Sequence, residues 1–216
     1  MNPALQFQDS QDLADLNAYL TRAKKLDADG AVRFRVSEDV LAVYVAPIYS
    51  GSLLGDGPTI LGLRTLKLAN PLELDATFEL GSILERLARS TELPLLELPP
   101  AQIRAPWSGV LPPRQGWESV AVISQQQITE WAKAGIAEVA TTLPDSVGAA
   151  VATKVRLEIW GRVVDSVLKL PAGAAFALSG LGFMSPGEQI AVYSAQNWLR
   201  LSTRHGHVLT KKSLKL

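Results

Sequence analysis

The stretch Leu72-Glu73-Leu74-Asp75-Ala76-Thr77-Phe78-Glu79-Leu80 alternates apolar and polar residues and is the clearest strand signal in the chain. Such alternation places one set of side chains on a buried sheet face and the other on a solvated face. The period then changes, because Ile83, Leu84 and Leu87 follow helical spacing. We therefore predict a strand that runs into a short helix over residues 82–89, a pattern typical of an α+β fold.

The residues before this strand predict a helix followed by an antiparallel meander. Between Ser10 and Leu26, apolar residues recur at helical spacing, with acidic residues near the start and basic residues near the end. That arrangement suits the helix dipole. Strands are predicted over residues 32–36, 40–46 and 59–68. We expect residues 1–92 to form an N-terminal α+β region, an antiparallel sheet with flanking helices.

Six prolines fall within residues 93–117 and argue against regular structure there. Apolar residues embedded in this segment, including Leu98, Trp107 and Trp117, favour a strap that lies on the core over a free linker. Residues 118–216 are expected to form a helical region closed by a C-terminal β-hairpin. One compact unit is the first expectation for the whole chain, with two subdomains as the alternative.

The strongest helix signal covers residues 124–143. Ser124 and Gln127 have the spacing of a capping box. A wide apolar stripe follows, and it predicts the burial of Trp131, Ile136 and Val139. Two further helices are expected over residues 146–160 and 172–183, although the first of these segments also fits a strand. The closing strands are expected over residues 189–193, 198–202 and 208–211.

Composition narrows the classes of function. The chain of 216 residues has 21 basic and 21 acidic side chains, so wholesale binding of a polyanion is not expected. The absence of cysteine excludes disulfides and thiolate metal sites and fits a reducing compartment. We find neither a signal-peptide pattern nor an apolar run long enough for a membrane helix. The sequence therefore predicts a cytoplasmic protein without membrane contact.

Residues suited to catalysis or metal binding are scarce. The two histidines, His205 and His207, would face the same side of a strand, but zinc needs at least a third ligand and the nearest acidic residue in sequence is Glu188. The glycine-rich residues 51–57 lack the lysine and hydroxyl residue of a phosphate loop and predict a hairpin loop. The acidic residues of the alternating strand predict a solvated face. We expect no metal and no cofactor.

The closing residues 189–216 carry five basic side chains and no acidic one. They give a candidate anion-binding set, which comprises Arg200, Arg204, His205, His207, Lys211, Lys212 and Lys215. Three helices followed by a hairpin follow the order of a winged-helix domain, whose wing contacts phosphates. The third predicted helix, however, has no basic residue, asparagine or glutamine to read bases. The sequence therefore argues against nucleic-acid binding without excluding it.

Several short sequence segments in the second half of the chain, taken together, resemble those of a known family. They are Gly135-Ile136-Ala137-Glu138-Val139-Ala140, Trp160-Gly161-Arg162, Leu170-Pro171-Ala172-Gly173, Leu181-Gly182-Phe183 and Trp198-Leu199-Arg200-Leu201-Ser202-Thr203. In this order they resemble an uncharacterised family of actinobacterial proteins, most densely over residues 116–210. The resemblance implies a cytoplasmic bacterial protein, and it implies no activity, cofactor or catalytic residue.

The absence of catalytic signatures and the surplus of apolar residues lead to one functional hypothesis and two alternatives. The leading hypothesis is a non-enzymatic interaction or regulatory protein, with a protein partner or a second copy of itself. The first alternative is a nucleic-acid-associated protein that uses the basic C-terminal hairpin. The second alternative is an enzyme whose site is built from carboxylates, arginines and main-chain groups.

Overall fold

The computed structural model describes residues 4–50, 57–89, 93–143 and 148–211. The chain divides into two compact units, the first made of residues 1–47 and 63–109 and the second of residues 48–62 and 110–216. The described residues form five α-helices and twelve β-strands, which pair in antiparallel sheets. The predicted α+β fold class is therefore confirmed. None of the helices in these ranges is long and apolar enough to cross a membrane.

The first unit contains a helix, a meander and a second helix, close to the predicted bounds. The elements that lie wholly or mostly in it are β1 (Ala4–Gln6), α1 (Ser10–Leu26), β2 (Ala31–Ser37), β3 (Val40–Ile48), β4 (Ile60–Lys67), β5 (Leu74–Glu79), α2 (Leu80–Arg89) and β6 (Leu95–Glu97). Asp9 caps α1 by accepting a hydrogen bond from the main-chain N–H of Asp12. The strand order is β5-β2-β3-β4, and β1 pairs with β6.

The segment expected to lack regular structure contains one short strand, β6. Pro94 and Pro99 flank this strand and do not interrupt it, so its main-chain groups remain free to pair with β1. Leu98 and Trp107 of the same segment are buried, as expected of a strap. The main-chain N–H of Ile103 donates to the carbonyl oxygen of Thr77 at 2.9 Å, which covers the outer edge of β5.

The second unit contains the remaining elements. They are β7 (Glu118–Ser124), α3 (Gln125–Thr142), α4 (Ala149–Gly161), β8 (Val163–Asp165), β9 (Leu170–Pro171), α5 (Ala172–Gly180), β10 (Gln189–Ala195), β11 (Trp198–Ser202) and β12 (His207–Lys211). The strand order is β12-β11-β10-β7. At the far side of β12, the main-chain N–H of Lys211 donates to Thr59 at 3.2 Å.

The prediction of one uninterrupted helix at α3 is confirmed, but the predicted burial is wrong. Ile136 is 48% exposed, and Trp131 and Val139 are only partly buried. The buried side of α3 is instead the one formed by small residues around Gly135, because a Cβ atom there would lie 2.2 Å from the ring of Trp160 in α4. The apolar stripe is wider than the face that α3 buries, so the sequence pattern did not identify the packed side.

Candidate functional site

A tight hairpin sets the register of the C-terminal sheet. β10 ends at Ala195 and β11 begins at Trp198, with Gln196 at a positive φ of 51° in the connecting turn. Counting back from this turn places Tyr193 directly opposite Arg200. The next turn places Ser202 opposite His207 in the same way.

Alternation along these strands creates two different faces. Val192, Leu199, Leu201 and Val208 point to one side and are buried. The opposite side carries the buried Trp198 and Leu209 together with partly buried polar residues. We call these polar residues the polar face and define it as Tyr193, Arg200, Ser202, His207 and Lys211. Their polar groups make this side a candidate binding surface.

Arg200 lies between two aromatic rings. Its Cζ atom is 4.6 Å from the ring centroid of Tyr193 and 4.6 Å from that of Trp117, which immediately precedes β7. The Trp117 ring is held in turn by a hydrogen bond from its Nε1 to the carbonyl oxygen of Pro113 at 3.0 Å. The faces of both rings therefore contact the guanidinium, and these two cation–π contacts help to hold it in place.

The guanidinium of Arg200 lacks an anionic partner within the described part of the chain. Its Nε atom is buried without a hydrogen-bond acceptor there, and no described carboxylate forms an ion pair with it. Burial lowers the pKa of Arg200, and the neighbouring Tyr193 opposes this shift. An arginine remains charged at neutral pH despite such a shift, so the site presents a fixed, partly desolvated cation.

His207 adds a neutral hydrogen-bonding group beside this cation. Its Nδ1 lies 3.0 Å from the hydroxyl oxygen of Ser202. Burial, with a further contribution from the charge of Arg200, lowers the pKa of His207 to about 4. The imidazole is therefore uncharged at neutral pH, and Arg200 is the charge that defines this part of the polar face.

The turn between β11 and β12 holds the other predicted histidine. His205 Nε2 lies 3.1 Å from the hydroxyl of Ser185, a pairing that resembles a nucleophile and its base. Both oxygens of the nearby Glu188 accept main-chain hydrogen bonds, from Ser185 and Arg204. These hydrogen bonds stabilise the turn that carries His205.

The structure divides the predicted anion-binding set. It places Arg200, His207 and Lys211 on the polar face, and the charge of Arg200 acts on His207. Arg204 and His205 are exposed on the turn. Lys212 and Lys215 lie outside the described residues, as do residues 51–56 of the glycine-rich loop.

A metal site shared by the two histidines would require both to lie on one strand. Only His207 belongs to β12, and His205 lies in the turn before it. Among the residues the structure describes, no group of three His, Asp or Glu side chains is placed to hold a metal ion. The expectation of a metal-free protein stays a prediction. The acidic residues of β5 were expected to form a solvated side of the strand. Asp75 on that side instead accepts hydrogen bonds from Arg33.

Sequence reasoning missed Tyr193 and Ser202. The closing strands predicted over residues 189–193, 198–202 and 208–211 bring these regions together, but they do not give the observed register, in which Tyr193 lies opposite Arg200 and Ser202 lies opposite His207. From the sequence, Trp117 is interpreted only as one of the apolar residues of the strap. Its contact with Arg200 joins distant parts of the sequence, and no local pattern indicates it.

Comparison with known proteins gives families without an assigned function. A family model described as "Domain of unknown function (DUF8010)" matches residues 1–109, and one described as "Domain of unknown function (DUF8185)" matches residues 112–215. No protein of curated function matches the sequence. The predicted similarity to an uncharacterised family is confirmed, and the models do not indicate an actinobacterial origin.

Solved structures of similar fold include two bacterial replication proteins. One is a DnaN sliding clamp (DNA polymerase III subunit beta) from Bartonella birtlesii bound to griselimycin, with a TM-score of 0.49 and 9% identity. The other is the DNA polymerase III subunit beta from Pseudomonas aeruginosa, also with a TM-score of 0.49 and 9% identity. The matches cover 100% of this chain but only 66% and 65% of the clamp chains. At this level the likeness assigns neither a partner nor an activity.

Proposed function

We propose that this chain, which belongs to the DUF8010 family of domains of unknown function, is a non-enzymatic binding protein that recognises a carboxylate of a protein partner through Arg200. The observation that carries the proposal is the stacked guanidinium without an anionic partner among the described residues. The predicted actinobacterial origin, cytoplasmic location and three-part division of the chain rest on the sequence alone.

The geometry of the stack favours a flat, two-oxygen ligand. Because the ring faces of Trp117 and Tyr193 contact the guanidinium, a ligand is expected to bind Arg200 through N–H donors that point away from these rings. A carboxylate accepts two parallel hydrogen bonds from such donors. Stacking also holds the side chain in one orientation before binding, so less conformational entropy is lost when the ligand arrives.

The surroundings favour a carboxylate on an apolar segment over a polyanion. The two rings of the stack are apolar, and Val122 of β7, which the register places on the same side as Ser202, is 62% exposed. The whole chain has no net charge, which gives no long-range attraction for nucleic acid. This narrows the predicted anion-binding set to Arg200 and makes a protein partner the better fit.

A matched pair of peptides tests the proposal by calorimetry. Acetyl-Leu-Glu-Leu-Glu-Leu-amide is expected to bind weakly, with a Kd of about 1 mM for so small a contact, and the matched glutamine peptide is expected not to bind. Arg200→Ala should abolish binding of the acidic peptide. Arg204→Ala removes the same charge from the neighbouring exposed turn and should change the Kd less than about twofold, because exposed charges are screened.

Three outcomes would overturn the proposal. Binding of neither peptide would refute carboxylate recognition, and equal losses in both variants would indicate diffuse electrostatics instead of a site. Tighter binding of oligothymidylate than of the acidic peptide, again lost in Arg200→Ala, would replace the protein partner with nucleic acid.

A further inference from the structure

We propose that the outer edge of β7 pairs with β7 of a second copy of this chain, forming a two-fold dimer. β7 is the last strand in its sheet, and β10 is its one strand neighbour among the described residues. Val120 and Val122 of β7 are 46% and 62% exposed. A terminal strand with exposed apolar side chains is a template for pairing with another chain. This inference rests on the β7 edge, and it shares Val122 with the surroundings of the ligand proposed for Arg200.

β5, the terminal strand of the first unit, is an example of a strand edge that is covered by another part of the chain. The carbonyl oxygen of Thr77 in β5 accepts a hydrogen bond from Ile103, so the proline-rich segment covers that edge. Asp75 adds a charge to the same strand. β7 has no comparable cover within the described ranges, and Glu118 at its beginning is its one charged residue.

A bulge limits which part of β7 is regular. Ala121 pairs with Val192 and Ser119 pairs with Tyr193, which leaves Val120 as an extra residue in the ladder. Bulges increase local twist and often end the pairing of an edge. The residues after the bulge, 121–124, keep a regular register with β10 and supply the flat part of the edge.

Charge complementarity identifies a second copy as the occupant. In a two-fold antiparallel pairing, the beginning of one β7 lies towards the end of the other, so Glu118 of one copy approaches Ser124 of the second copy. Ser124 caps α3, and the first turn of α3 has three glutamines and no acidic residue. A carboxylate is stabilised at such a helix N-terminus. The contact occurs twice in a two-fold dimer, so the charge of β7 is matched at both ends of the pairing.

Sedimentation of the full chain over a range of concentrations tests the inference. The unmodified protein should form a concentration-dependent dimer. Val122→Asp places a charge in the centre of the proposed interface and should give monomers throughout. Val151→Asp makes the same change at a valine of α4 that is 57% exposed, and it should leave the dimer intact.

A second variant checks the pairing through its charge. Glu118→Lys should raise the dimer dissociation constant by about three- to tenfold, because two contacts with helix N-termini become repulsive. Thermal unfolding at matched temperatures shows whether each variant remains folded. A protein that is monomeric at every concentration would overturn the proposal, and so would a dimer that survives Val122→Asp but dissociates with Val151→Asp.

Discussion

Arg33 and Arg200 lie on strands of similar sequence pattern but are bound in opposite ways. Arg33 of β2 is mostly buried, with 15% of its side chain exposed, and its Nε and Nη2 donate to the two oxygens of Asp75 at 2.7 and 2.8 Å. Its Nη1 donates to the carbonyl oxygen of Ser108. Arg33 is thus satisfied within its own unit and ties the proline-rich segment to the sheet.

Arg200 is held by the faces of two aromatic rings, which do not accept conventional hydrogen bonds from its N–H groups. Trp117 and Tyr193 fix the guanidinium, while its Nε has no acceptor among the described residues. Arg33, bound by hydrogen bonds within its own chain, completes the fold, whereas under our proposal Arg200, contacted by ring faces, offers N–H donors to a ligand. Three changes in stability and one binding measurement sharpen this contrast.

The largest expected effect is on the pH dependence of folding, because burial, together with the charge of Arg200, lowers the pKa of the neighbouring His207. The folded pKa of His207 is about 4, against an ordinary value of 6.5 in the unfolded chain. The unfolded state therefore binds more protons between these values. The stabilisation is fully present above pH 6.5 and is lost as the pH falls through 4.

The size of this loss is on the order of 3 kcal/mol at acid pH. Urea unfolding between pH 4 and pH 7.5 measures it. His207→Gln should flatten the dependence relative to the unmodified protein, and His205→Gln, which alters the exposed histidine of the turn, should leave it unchanged. A curve with the same slope in His207→Gln would show that the imidazole is not kept neutral by its surroundings.

The next effect is the loss of the satisfied arginine. Arg33→Ala should lower the free energy of unfolding by about 2 kcal/mol, because Asp75 and the carbonyl oxygen of Ser108 lose charge-assisted hydrogen bonds. Urea unfolding at neutral pH gives the value. Arg35→Ala is the matched control, since Arg35 lies 3.8 Å from the same carboxylate in a looser contact. A larger loss in Arg35→Ala would contradict the structural role assigned to Arg33.

The smallest effect on stability is expected at Arg200. Arg200→Ala should cost about 1 kcal/mol, since two cation–π contacts are lost but no hydrogen-bonded carboxylate is left behind. Arg200→Lys should recover part of this loss, because the charge remains but the planar stack does not. A cost that exceeds that of Arg33→Ala would mean that Arg200 is primarily a structural residue, and the contrast between the two arginines would fail.

Local patterns were sufficient to predict much of the fold. Helix α1, the meander and the closing strands follow from periodicity and turn residues within short windows. The capping hydrogen bond from Gln127 to Ser124 was also predicted from two residues at fixed spacing. These features depend on neighbours in sequence, which is why a single sequence indicates them.

The rest depends on contacts between distant parts of the sequence. The buried side of α3 is decided by the ring of Trp160 against Gly135, which no pattern within α3 indicates. The same holds for the site, because charge counting selected Arg200 together with Arg204 and could not separate them. Only the positions of Trp117 and Tyr193 distinguish the stacked arginine from the exposed one.

One NMR titration compares the two arginines most directly. The Nε–H signals of Arg33 and Arg200, assigned with the Arg33→Ala and Arg200→Lys variants, are followed as acetyl-Leu-Glu-Leu-Glu-Leu-amide is added to the same labelled sample. We predict that the Arg200 signal moves to a saturating value while the Arg33 signal stays in place. An Arg200 signal that does not move, or equal unsaturated shifts of both signals, would contradict the assignment of Arg200 as a carboxylate-binding residue.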